Sequence, residues 1–141
     1  MIAQIFLGSV LISLTILIEA AFIGGAVAVL RRIGSRLSEG HRTAKLIVTT
    51  TAMTLWMLGA LTFAVWIWAG AFLAIGEFEA LEPALYFSFV AFTTLGFGDM
   101  LLSEEWRLLS GFIAANGLIL FSLTTAFLLS AIRGIQGNGG D

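Results

Sequence analysis

The run Thr93-Thr94-Leu95-Gly96-Phe97-Gly98-Asp99 is the segment of this sequence best equipped for chemistry. Its two glycines stand at alternate positions. Because glycine tolerates positive φ, successive backbone carbonyls there can turn to one side instead of alternating as in a strand. A line of carbonyl oxygens on one side is a ladder of cation sites. Thr94 adds a hydroxyl at one end of that ladder, and Asp99 stands just beyond the other. One such strip offers oxygens from one side only, so enclosing a dehydrated cation requires symmetric association of several chains.

The elements that must hold this strip are apolar. Of 141 residues, 59% are hydrophobic and 11% charged, with a mean hydropathy of +1.02, against roughly 25% charged residues in an ordinary soluble domain. Three stretches, residues 2–30, 46–75 and 108–132, each exceed the ~20 residues a helix needs to cross ~30 Å of hydrocarbon. Only Gln4 and Glu19 interrupt the first, and the other two carry no charge. No Lys or Arg precedes Arg31, so the first stretch is read as a retained helix, not a cleaved signal peptide. Residues 83–92 are apolar but span only about half a bilayer as a helix, the length of a segment that dips in and returns. Pro83 suits the first turn of such a helix, where its missing N–H costs nothing. The C-terminal end of the short helix, partially negative, then favours a cation halfway across the membrane. Non-helical backbone at that depth is tolerated only where it is buried in protein or lines a water-filled path.

Charge placement orients the chain. Arg31, Arg32, Arg36, Arg42 and Lys45 follow the first stretch against Glu39 alone, and Arg133 follows the third. The positive-inside bias makes both segments cytoplasmic. Glu77, Glu79, Glu82, Asp99, Glu104 and Glu105, against Arg107, then lie outside with the N-terminus. Trp66, Trp68 and Trp106 read either as an interfacial aromatic belt or as helix packing. Zero cysteines and the single His41 exclude disulfides, thiolate chemistry and a multi-histidine metal site within one chain. The reading is of a non-enzyme with no catalytic residues, no cofactor and no nucleic-acid partner.

Together the short apolar segment, the Thr-Thr-Leu-Gly-Phe-Gly-Asp run and the following apolar stretch resemble the pore domain of the potassium channel superfamily. The runs 92–99, Glu105-Trp106-Arg107-Leu108-Leu109 and Ala114-Ala115-Asn116-Gly117 are similar to those of small prokaryotic two-pore-domain-like potassium channel proteins. The resemblance implies an all-α membrane protein: three transmembrane helices, a re-entrant pore helix and a selectivity-filter loop, assembled as a homotetramer. Four strips form the square of carbonyls that replaces the water shell of a potassium ion. By position it implies that Thr94, Leu95, Gly96, Phe97 and Gly98 coordinate K+ through backbone oxygens, with Asp99 and Glu104 at the outer mouth. Gly117 matches a bend point of the inner helix, its alternative being close helix packing. Leu118, Phe121, Thr125 and Leu129, spaced by three and four, then line the cavity.

The expected organisation is an N-terminal transmembrane helix (1–30), a basic cytoplasmic loop (31–45) able to meet anionic lipid headgroups, a pore unit (46–133) and a flexible cytoplasmic tail (134–141). The expected location is a prokaryotic plasma membrane. K+ is the permeant ion, and no helix carries the regularly spaced arginines of a voltage sensor, so the expected conductance is leak-like. The alternatives are a non-selective channel and a partner-dependent or non-conducting membrane subunit. Two departures from the family pattern, Phe97 in place of tyrosine and Val90 where some relatives carry a buried glutamate, predict reduced polar bracing of the filter. Glu19, an ionisable residue inside an apolar helix, reads either as functional or as hydrogen-bonded to a neighbouring helix. His41 reads as solvated.

Overall fold

The computed structural model describes residues 1–34 and 42–137. These form four helices, α1 (Ile2–Gly34), α2 (Arg42–Ala74), α3 (Leu81–Phe92) and α4 (Leu108–Gly137), with no strand among the described residues. Three contain spans long and apolar enough to cross a membrane: Ile2–Leu30, Leu46–Ala74 and Leu108–Gly134. The twelve residues of α3 extend about 18 Å at 1.5 Å per residue, too short to cross.

The helix ends differ from the expectation. α1 continues to Gly34 and α2 starts at Arg42, so much of the expected 31–45 loop is helical. Arg31 and Arg32 therefore lie on α1 and not in a loop. α4 likewise runs on to Gly137, replacing half of the expected flexible tail with helix. Arg36, Glu39, His41 and the final four residues lie outside the described residues. The end of α2 is set by Gly76 at φ +80°. Its N–H donates to the Leu73 carbonyl (3.1 Å), and the Glu77 N–H reaches back to that of Phe72 (3.0 Å). This pair of bonds closes a helix on a left-handed residue, a position that suits glycine.

α2, α3 and α4 pack against one another around Trp68, Phe72, Phe87, Phe92, Leu109, Ile113 and Leu120. The Phe72 ring meets Phe87 edge-on at 5.3 Å and Trp68 at 5.8 Å. Trp68 is fully buried while Trp66 is exposed, so of that pair only Trp66 is open to an interfacial role, and Trp68 is a packing residue.

α1 packs on α2 and α4, and among the described residues it makes no comparable contact with α3. Trp56 of α2 donates its indole N–H to the Phe22 carbonyl at 2.9 Å. α1 and α4 run in the same direction, with Gln4 beside Leu108, Thr15 beside Asn116 and Glu19 beside Thr124. The N-terminus therefore lies at the same end of the bundle as the segment between α3 and α4.

Candidate functional site

The Thr93–Asp99 strip leaves the C-terminal end of α3, and its geometry begins with the orphan carbonyls of that helix. Thr93 N–H donates to Phe89 O (3.0 Å), Thr94 N–H to Ala91 O (3.0 Å), and both Leu95 N–H (3.0 Å) and Gly96 N–H (3.3 Å) to Val90 O. The Thr93 hydroxyl adds a bond to Phe89 O at 2.7 Å. A trans peptide unit directs its carbonyl opposite to its N–H. With the N–H groups of Leu95 and Gly96 drawn to Val90, the carbonyls of Thr94 and Leu95 both turn away from α3.

The backbone then alternates in hand. Thr94 (φ +59°), Gly96 (φ +59°) and Gly98 (φ +76°) are all left-handed. In an ordinary strand successive residues share one hand and their carbonyls alternate; a residue of opposite hand at every second position breaks that alternation. Thr94 is the only non-glycine with positive φ among the described residues; the sequence marks it as an ion-coordinating candidate, but only the glycines as positions of positive φ. All residues from Thr93 to Asp99 are exposed in the single chain.

Two side-chain contacts brace the strip and the loop beyond it, and they revise the expectation of reduced bracing. The Tyr86 hydroxyl, on α3, donates to Asp99 Oδ2 at 2.6 Å. The carboxylate accepting its proton holds the Tyr86 phenol above the ordinary tyrosine range. Beyond Asp99, Glu77 grips Ser103 twice, accepting from its N–H (2.8 Å) and its hydroxyl (2.6 Å). Phe97 lacks a hydroxyl and Val90 a carboxyl, but Tyr86 and Glu77 provide polar ties elsewhere. The sequence offered one signal for the first, since Tyr86 is the single tyrosine of the chain.

The remaining candidates sit on α4 or before it. Glu104 is exposed in the turn preceding α4. Leu118, Phe121, Thr125 and Leu129 are exposed along one side of α4, and the Thr125 hydroxyl is tied back to the Phe121 carbonyl at 2.8 Å. The Phe121 ring packs on Phe92 at 5.7 Å. Gly117 is buried where a Cβ would lie 1.8 Å from the Phe92 carbonyl oxygen. It lets α4 approach the end of α3 at backbone contact, the close-packing alternative for this residue.

A family model described as ion channel matches residues 60–134, more than half of the chain. The chain belongs to the ion channel family. The matched region takes in about half of the apolar part of α2, all of α3, the strip and nearly all of α4; α1 lies outside it. No curated protein and no solved structure matches the chain. Membership of the channel family and three helices long and apolar enough to cross a membrane make this an integral membrane protein whose role is ion transport.

Proposed function

We propose that this channel conducts K+ passively through a homotetrameric pore, with Thr93–Asp99 as its selectivity filter. The observation that carries the reading is the alternation of left-handed residues at Thr94, Gly96 and Gly98, with the Thr94 and Leu95 carbonyls turned away from α3. Four copies around an axis present rings of carbonyl oxygens in place of the ion's water shell. α3 is then the re-entrant pore helix, α2 the outer helix and α4 the inner helix, with Leu118, Phe121, Thr125 and Leu129 lining the cavity and Asp99 and Glu104 at the outer mouth. The basic segment after α1 is cytoplasmic, by the positive-inside bias, in a prokaryotic plasma membrane. The conductance is leak-like. Recording from purified protein in planar bilayers with unequal K+ and Na+ tests the reading. A reversal potential near that of K+ is expected; equal permeability to the two ions refutes the filter assignment, and silence from well-incorporated protein refutes conduction.

A further inference from the structure

α1, although outside the region shared with the channel family, is bound to α4 by a column of contacts along one stripe. Gln4 uses both ends of its amide: Nε2 donates to the Glu105 carbonyl, and Oε1 accepts from the Leu108 N–H at 3.2 Å, one of the unpaired donors in the first turn of α4. At Gly8 a Cβ would stand 2.5 Å from Phe112 Cδ1, so the missing side chain makes room for that ring. Asn116 Nδ2 donates to Thr15 Oγ1 at 2.8 Å, and the Thr15 proton turns back to the Ile12 carbonyl at 2.9 Å. Glu19, 1% exposed, ends the column with Oε1 at 2.5 Å from Thr124 Oγ1.

Glu19 is the one member of this column that can change its charge. No cation faces it: residues 46–74 of α2 and 108–132 of α4 carry no ionisable side chain, and residues 2–30 of α1 carry no other. Its neighbours along the seam are the neutral groups of Thr15, Asn116 and Thr124, and its second oxygen, Oε2, is buried with no hydrogen-bond partner. The neutral acid fits such a seam; a carboxylate there has an unpaired charge and draws water between the helices. We propose that Glu19 is a proton-binding site that couples α1 to the inner helix: with the proton bound the seam is closed, and its release parts α1 from α4. Thr124 adjoins Thr125, so parting the seam frees the stretch of α4 assigned to the cavity. The effect on conduction rests on the channel reading above; the state of the seam does not.

Two measurements test this. Rubidium uptake into liposomes across a pH series is expected to change several-fold in the parent. Glu19→Gln, which carries the neutral form permanently, is expected to give flux without pH dependence, at the level the parent reaches at its acid limit. In protein that conducts, retention of the parent's pH profile by Glu19→Gln, or a flat profile in the parent, overturns the proposal. The second measurement does not need conduction. The chain has no cysteine, so Thr15→Cys with Asn116→Cys can be cross-linked by an added oxidant in the parent and Glu19→Gln backgrounds. Thiol ionisation is common to both, and the ratio of their disulfide yields isolates Glu19. That ratio, parent over variant, is expected to fall as pH rises; a constant ratio overturns the proposal whatever the flux. A falling ratio in protein that passes no ion supports the proton site and counts against the channel reading alone.

Discussion

Thr94 holds a left-handed conformation that costs an L-residue with a Cβ about 1–2 kcal/mol, and the bonds from Leu95 and Gly96 to the Val90 carbonyl offset it. Gly96 and Gly98 share that hand, and nothing lies within 4 Å of where a Cβ would stand on either, so in the single chain conformation alone opposes a side chain there. Gly96→Ala and Gly98→Ala are each expected to add roughly 1–2 kcal/mol of backbone strain while the chain still folds and inserts. Recording should show conduction lost or the preference for K+ over Na+ reduced; an unchanged preference in Gly96→Ala contradicts the filter assignment. Tyr86→Phe removes only the hydroxyl that reaches Asp99. Current through it is expected to decay faster than in the parent, with the protein level in the membrane unchanged. Because the phenol is held above its ordinary value of about 10, the contact is fully present below that value and lost as pH rises through the higher one. Parent and variant should therefore converge only at strongly alkaline pH. The glycine spacing was legible because glycine alone signals positive φ. Threonine carries no such signal, and the approach of Tyr86 to Asp99 depends on how the backbone turns between them.

At the level of elements, the three long helices and the short one were readable from apolar length alone. Their faces were not, since a helix that is apolar all round gives no stripe to read. Trp66 and Trp68 show the consequence: two residues apart, they point to nearly opposite sides of α2, one exposed and the other fully buried. The polar residues of α1 and α4 were visible in the sequence, but their pairing depends on the parallel register of two helices about a hundred residues apart. Gly117 marks where α4 meets α3. A methyl group there lies 1.8 Å from the Phe92 carbonyl oxygen, a backbone atom that cannot swing aside. Gly117→Ala is expected to cost at least the ~1–3 kcal/mol typical of overpacking, lowering the thermal midpoint in detergent and abolishing conduction. Gly111→Ala, on the same helix with nothing within 4 Å, should leave both unchanged. Equal midpoints for the two variants would show that α4 can move off α3 without loss.

For the whole molecule, the single chain leaves Leu95, Phe97, Leu101 and Leu118 each more than half exposed, and the proposed fourfold association would give the strip and its surroundings neighbours. Particles in nanodiscs are expected to contain four chains of 15.1 kDa; a conducting dimer or trimer contradicts the proposed pore. The parallel course of α1 and α4 puts the N-terminus and the segment between α3 and α4 at one end of the bundle. Six carboxylates against Arg107 in residues 75–107 give that segment a net side-chain charge of −5 per chain, or about −20 in the proposed tetramer, whose field extends roughly one Debye length, ~10 Å at 0.1 M salt. The carboxylates there do different things. Glu77 is engaged with Ser103 and Asp99 with Tyr86, whereas Glu104 and Glu105 have exposed side chains suited to raising the local cation concentration. Glu104→Gln with Glu105→Gln is expected to lower inward K+ current at low ionic strength, the deficit shrinking as salt is added and the K+ to Na+ preference staying fixed. Glu77→Gln weakens a structural tie, so its effect should persist at high salt. Current–voltage relations over a salt series separate the two, and a deficit in the Glu104 and Glu105 double variant that does not diminish with salt would show that these residues act by holding the loop and not by their charge.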